Sequence, residues 1–199
     1  MLLPRPTVER VNKECAEFGR ENQLTEDALR QLRERFPQNS ETAHVLLKVW
    51  VLNKLYNARV RDIDVEPLAR HIASLQLDPA LEKGAPNAVA LITNCEKLKK
   101  YFSFATKFCS WHNPVAYPMY DGNVDECLWS YQRQDRFAKF HRQDLGSYEK
   151  LIAVVAGFRA FYGLESFSFR QLDKFLWHMG ERILRLKQER KSANSRRSP

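Results

Sequence analysis

The sequence predicts an all-α fold, and three observations carry that reading. Only seven of the 199 residues are glycine, so tight hairpins and long loops are scarce. Apolar residues recur at helical spacing almost throughout. No segment alternates with a period of two between hairpin turns, and no internal repeat is present. About eight to ten helices are expected, in a single domain over residues 1–184 that has room for two helical lobes.

The elements follow in order. Pro6-Thr7 opens a first helix of about 14 residues, with Val8, Val11, Cys15 and Phe18 on its apolar stripe. Leu24-Thr25 leads a second, which Pro37 ends. Asn39-Ser40 caps a third, apolar nearly all round from His44 to Leu52 and therefore expected to be central and buried. Asp64 caps the next, with Pro67 in its first turn. Residues 78–87 form a loop with room for one helical turn, and residues 88–98 are helical. A helix then covers residues 97–110, and another runs from Asp121 to about Gln134. Gly146-Ser147 caps a helix that Gly163 ends in the left-handed position. Ser168 and Gln171 form a capping box before the last helix, whose inward residues are Leu172, Phe175, Leu176 and Met179.

Composition narrows the function classes. The chain is 44% hydrophobic and 28% charged, as ordinary soluble domains are. The net charge of +8 is unevenly placed. Residues 185–199 hold six basic side chains and one acid, and their lack of apolar anchors predicts a disordered basic tail. The remaining 184 residues hold 26 basic and 23 acidic side chains, a net of +3. Four scattered cysteines without C-x-x-C spacing predict free thiols in a reducing compartment, cytoplasmic or nucleoid-associated. No apolar run suits a signal peptide or a membrane span.

The informative stretch is residues 97–121, KLKKYFSFATKFCSWHNPVAYPMYD. It has four lysines and no acid before Asp121, interleaved with seven aromatics. Cations suit phosphates and flat rings suit unstacked bases, so the pattern points to a nucleic-acid groove. Lys97, Lys99 and Lys100 are the candidate phosphate contacts. Trp111, Tyr120, Phe108 and Tyr117 are candidates to stack on an extruded base, Trp111 and Tyr120 above all; aromatics at such spacing are more often core. Asn113-Pro114 and Pro118 end the helix and impose a loop. Asp121 then stands at a helix start, where aspartate is a good cap.

Helix with Lys107, proline-bearing loop, aspartate at a helix start: this order resembles the helix–hairpin–helix DNA glycosylases of the 8-oxoguanine type. Ala105-Thr106-Lys107-Phe108 resembles that family's lysine segment, and Tyr117-Pro118-Met119-Tyr120-Asp121 its aspartate segment. The resemblance covers about 35 residues, and the segment before the lysine, residues 100–104, lacks the family's hairpin glycines. It implies two helical lobes flanking a DNA-binding cleft, with the first and last helices sharing a lobe. It implies a DNA glycosylase, with or without lyase activity, that extrudes an oxidised purine such as 8-oxoguanine and needs neither metal nor organic cofactor. Lys107 would be the catalytic amine that attacks C1′, and Asp121 the catalytic carboxylate that stabilises the oxocarbenium charge. Two other readings stay open: a non-catalytic nucleic-acid-binding component on the same scaffold, and a helical protein-interaction module. Cys109 and His112 have C-x-x-H spacing without further ligands, so no metal site is expected.

Overall fold

The computed structural model describes residues 2–96 and 98–195. All regular structure among them is helical: α1 (Val8–Arg35), α2 (Thr42–Leu55), α3 (Asp62–Ser74), α4 (Asp78–Glu82), α5 (Asn87–Thr93), α6 (Phe102–His112), α7 (Gly122–Asp135), α8 (Tyr148–Tyr162) and α9 (Phe169–Ser195), with a 3₁₀ turn at Arg142–Gly146. The all-α expectation holds. The chain divides into two compact units: a middle unit, Gly19–Tyr120, and a terminal unit, Met1–Phe18 with Asp121–Pro199.

Helix boundaries show where local chemistry won. The two helices expected before Pro37 are one helix, α1, interrupted by non-helical dihedrals at Asn22. Thr7 accepts a bond from the Arg10 amide at its start. Asn39 does not cap α2; Glu41 does, and Asn39 is buried and bonded to Asp78. Nor is α2 buried all round, since Leu47 and Leu55 are exposed. Asp64 lies inside the first turn of α3, which Arg61 precedes, so it is not a cap either. By contrast Ser147, Gly163 and the Ser168–Gln171 box sit where expected: Gly163 has φ +68°, and Ser168 and Gln171 exchange backbone-to-side-chain bonds at 2.9 and 3.3 Å. Helix α9 continues to Ser195, so residues 185–195 are helical where an unanchored tail was expected. Residues 196–199 lie outside the described ones.

In the middle unit α2 packs on α3 and α6, and α5 packs on α6. Val45, Val49, Leu52, Val65, Leu68, Ile72, Ile92, Phe104 and Phe108 form its core. Burying each such side chain is worth about 1.5–3 kcal/mol before the cost of ordering it.

In the terminal unit α7 packs on α9. Gly180 makes their close approach possible: a Cβ there would lie 1.9 Å from the Asn123 carbonyl oxygen. The ring of Phe158 lies 4.6 Å from Tyr162 and 5.6 Å from Tyr131 between centroids. Its buried acids are tied to cations. Glu14 accepts from His178 at 3.1 Å and from Arg182 at 2.6 Å. Glu126 accepts from Lys187 at 2.5 Å and Arg142 at 3.2 Å. Burial alone would raise the Glu126 carboxyl, but hydrogen bonds from Lys187 and Ser130 and the charges of Lys187 and Arg142 hold it below its ordinary range.

Candidate nucleic-acid site around Lys107

Helix α6 is the most enclosed element of the middle unit. Residues 104–111 are all buried. It starts at Phe102, not Lys97, because residues 98–101 run non-helically into it. Lys97 lies outside the described residues, so its phosphate role has no structural counterpart here. Lys99 and Lys100 are exposed just before α6.

Lys107 is only 4% exposed. Its Nζ donates to the Tyr56 carbonyl at 3.0 Å. That carbonyl belongs to the last turn of α2, where helix oxygens lack internal partners and a cation is favourable. The chain then turns through Asn57 and Arg59, both with positive φ (47° and 59°). Non-glycine residues rarely adopt this conformation, and asparagine is the type that does so most readily. Asn53 braces the turn by bonding both the amide and the carbonyl of Val60, at 2.9 and 2.8 Å. The sequence reading did not find this support of Lys107. An asparagine directly after a helix was the available signal.

Beside it, Tyr101 donates its hydroxyl to Asp64, which Arg61 also holds, at 2.6 Å. Those two hydrogen bonds, Arg61's first, keep the Asp64 carboxyl below its ordinary range. Arg59, Arg61, Lys99 and Lys100 are all exposed around this turn and the start of α6.

The proline loop returns to α6. The Tyr120 amide donates to the Thr106 hydroxyl at 3.0 Å, and the Ser103 hydroxyl donates to the Tyr120 carbonyl at 2.9 Å. The chain is thus clamped by both backbone groups of Tyr120 to the turn carrying Lys107. Asn113 holds the outward leg, donating to the carbonyls of Leu81 and Glu82 at 3.0 and 3.2 Å.

Three of the four rings expected on a base lie in the core. Phe108 and Tyr117 are fully buried and Trp111 is 5% exposed. The Trp111 indole donates to the Leu29 carbonyl at 3.1 Å. The Tyr117 hydroxyl is 3.0 Å from the carbonyls of both Ala80 and Ala85, and burial pushes its pKa up. Tyr120 is half-buried, its ring 5.2 Å from that of Phe102.

Helix α6 runs through His112, so Cys109 and His112 do share it. Their chemistry is not that of a nucleophilic pair. Burial pushes the Cys109 thiol up, and burial with the nearby charges of Lys48 and Arg33 pulls the His112 imidazole down to about 3. Among the described residues no cluster of His, Cys, Asp and Glu could hold a metal ion.

Lys48 was also missed: a lysine in the apolar run of α2, fully buried, donating to the Gln38 carbonyl at 2.7 Å and to Asn39 at 2.8 Å. Burial lowers it to about 8, with Asp78 opposing.

Asp121 opens the terminal unit. Its Oδ1 accepts from the amides of Asn123 and Val124, both at 3.0 Å, so it caps α7 as the sequence predicts.

The middle unit with its lysine-bearing α6 is all-α, and most of it falls within one protein family. The HI_0787_N family, described as an N-terminal domain, matches residues 7–116, more than half of the chain. An uncharacterized protein of Haemophilus influenzae is 34% identical over 143 residues, which cover 70% of this chain and 67% of that protein. The chain belongs to this family. Lys107 and Tyr56 lie inside the matched residues, and Asp121 lies beyond them. No solved structure matches. Among the described residues no helix is long and apolar enough to cross a membrane.

Proposed function

We propose that this protein binds DNA and acts as a DNA glycosylase on an extruded oxidised purine such as 8-oxoguanine. Lys107 is the amine that attacks C1′ and Asp121 the carboxylate that stabilises the positive charge developing there. The observation that supports this is the clamp of Tyr120 on Ser103 and Thr106, which returns the proline loop to the turn of α6 that carries Lys107. In the reaction the base leaves with the electron pair of the glycosidic bond. The Lys107 amine then bonds to C1′ through its lone pair, the C1′–O4′ bond breaks with its electron pair going to O4′, and O4′ takes a proton from the amine, which leaves a protonated imine at C1′. The exposed Arg59, Arg61, Lys99 and Lys100 supply cations for phosphates.

A second reading is a non-catalytic DNA-binding component on the same scaffold. It is favoured by the 4% exposure of Lys107 and its seat on the Tyr56 carbonyl.

Borohydride trapping on lesion-bearing duplexes decides between them. The wild type is expected to release the base and give a stable protein–DNA adduct. Lys107→Gln should abolish the adduct while DNA affinity, read by salt titration, stays within about threefold, since no phosphate contact is lost. Asp121→Asn should suppress base release with α7 intact, because asparagine caps about as well. DNA binding without base release on oxidised, alkylated or deaminated duplexes would establish the second reading. Activity surviving both substitutions would move the active site elsewhere. No salt-dependent DNA binding at all would leave the protein-interaction module.

A further inference from the structure

The terminal unit contains a cavity of about 460 Å³ unconnected with the chemistry assigned to Lys107 and Asp121. Its size is that of a small-molecule pocket. Three structural pieces form it: the segment at Leu2 and Leu3, helix α7 through Arg133 and Gln134, and helix α9 through Ile183, Leu186, Lys187 and Arg190. The first wall is fixed rather than loose. The Gln134 side chain accepts from the Leu3 amide at 2.5 Å and donates to the Leu3 carbonyl at 3.1 Å. Leu3 and Ile183 are buried, and they give the pocket an apolar base.

The charges around it have one sign. Lys187 is neutralised by Glu126 at 2.5 Å. Arg133 and Arg190 come from different helices, are exposed, and have no carboxylate partner among the described residues. A concave wall of low dielectric lined by one sign of charge concentrates counter-ions. Guanidinium forks match carboxylates and phosphates with paired donors. Leu186 beside them is 40% exposed, a place for an apolar body rather than for water alone.

We propose that this cavity is a binding site for a small amphiphilic anion. Its carboxylate or phosphomonoester head lies on Arg133 and Arg190, and its apolar body on Leu3, Ile183 and Leu186. The proposal is independent of the glycosylase reading, since none of these residues belongs to it.

Calorimetric titration of the full chain with four probes tests it: phenyl phosphate, octanoate, inorganic phosphate and acetate. At least one organic anion should bind tenfold or more tighter than the inorganic or short-chain ion with the same head. Phenyl phosphate ahead of octanoate identifies a phosphomonoester site, and the reverse order a carboxylate site. Replacing Arg133 and Arg190 together by Ala should weaken that binding at least tenfold with an unchanged circular dichroism spectrum, because both side chains are exposed. Leu186→Gln should narrow the gap between the organic anion and its apolar-free counterpart. The proposal is overturned if organic and simple anions bind alike, if neither binds, or if binding survives loss of both arginines. Displacement of phenyl phosphate by a short DNA duplex would also overturn it, since the groove would then be a nucleic-acid surface.

Discussion

The two units hold their buried charges in different ways. Among the described residues the terminal unit buries the carboxylates Glu14, Asp125, Glu126 and Asp173, each beside a cation: Arg182 at Glu14, Arg142 at Asp125, Arg142 and Lys187 at Glu126, and Arg170 at Asp173. The middle unit buries two amines, Lys48 and Lys107, each hydrogen-bonded to a backbone carbonyl. A counter-ion stabilises a buried charge more strongly than a neutral dipole does. The contrast shows in two groups: the cations around Glu126 hold its carboxyl below the ordinary range, whereas burial among neutral partners lowers Lys48 to about 8.

The largest effect is expected where the terminal unit has no slack. In Gly180→Ala the new methyl would meet the backbone of Asn123, at 1.9 Å from its oxygen and 2.5 Å from its carbonyl carbon. Backbone cannot rotate aside, so α7 and α9 must part. A loss of about 3 kcal/mol is expected by urea denaturation, at the upper end of overpacking costs. A loss below about 1 kcal/mol would show that the helix pair adapts, and the terminal unit would not be the rigid partner in this contrast.

Next come the buried charges themselves. Glu14→Ala leaves His178 and Arg182 without their shared carboxylate. Arg182 is half-exposed and can recover water, which brings the expected cost down to about 2 kcal/mol. Lys48→Met leaves the Gln38 carbonyl and Asn39 short of a donor but strands no charge, so about 1 kcal/mol is expected at pH 7. Chemical denaturation of both variants reads the difference. A costlier Lys48 substitution would reverse the comparison. Lys48 also carries a pH signature. Below pH 8 the amine is protonated in both states and contributes no slope. From about pH 8 to about 10.5 the unfolded chain holds more protons, so stability from this group rises with pH. Lys48→Met should remove that rise; a wild type with no rise would show that Lys48 stays charged.

The fold was legible because it rests on local signals. Capping at Gly163 and Ser168 is chemistry within four residues, and the inward stripe of α9 repeats at helical spacing. The candidate site was legible only in part. The cap by Asp121 follows from an aspartate placed directly after the proline loop. The seat of Lys107 on Tyr56 spans 51 positions, and that of Trp111 on Leu29 spans 82, so no local pattern reports them. The core placement of Phe108, Trp111 and Tyr117 was hidden for the same reason. Aromatic interleaving has one appearance in sequence whether the rings line a groove or, like Phe108 and Tyr117, fill a core. Asn39 and Asp64 misled as caps because their side chains are used by distant partners, Asp78 and Tyr101.

The smallest expected effect tests the exception to the contrast, the buried carboxylate of the middle unit. Asp64 takes hydrogen bonds from Arg61 and Tyr101, and these hold its carboxyl below the ordinary range against the pull of burial. A depressed acid adds stability that is present above its unfolded value, about 3.9, and is lost as pH falls through the lower folded value. Asp64→Asn keeps an acceptor for Tyr101 and removes only the charge that Arg61 meets. Arg61 is exposed, so the loss at pH 7 should be slight, as for other solvent-screened pairs. What should change is the acid limb: thermal midpoints measured from pH 6 to pH 2 should fall less steeply in Asp64→Asn than in the wild type. Glu126→Gln supplies the counterpart in the terminal unit, where two cations hold the carboxylate. It should flatten the limb more than Asp64→Asn does. If Asp64→Asn has the larger effect, the strongest pH-linked ion pair lies in the middle unit, and the division of buried charge between the units does not decide their acid stability.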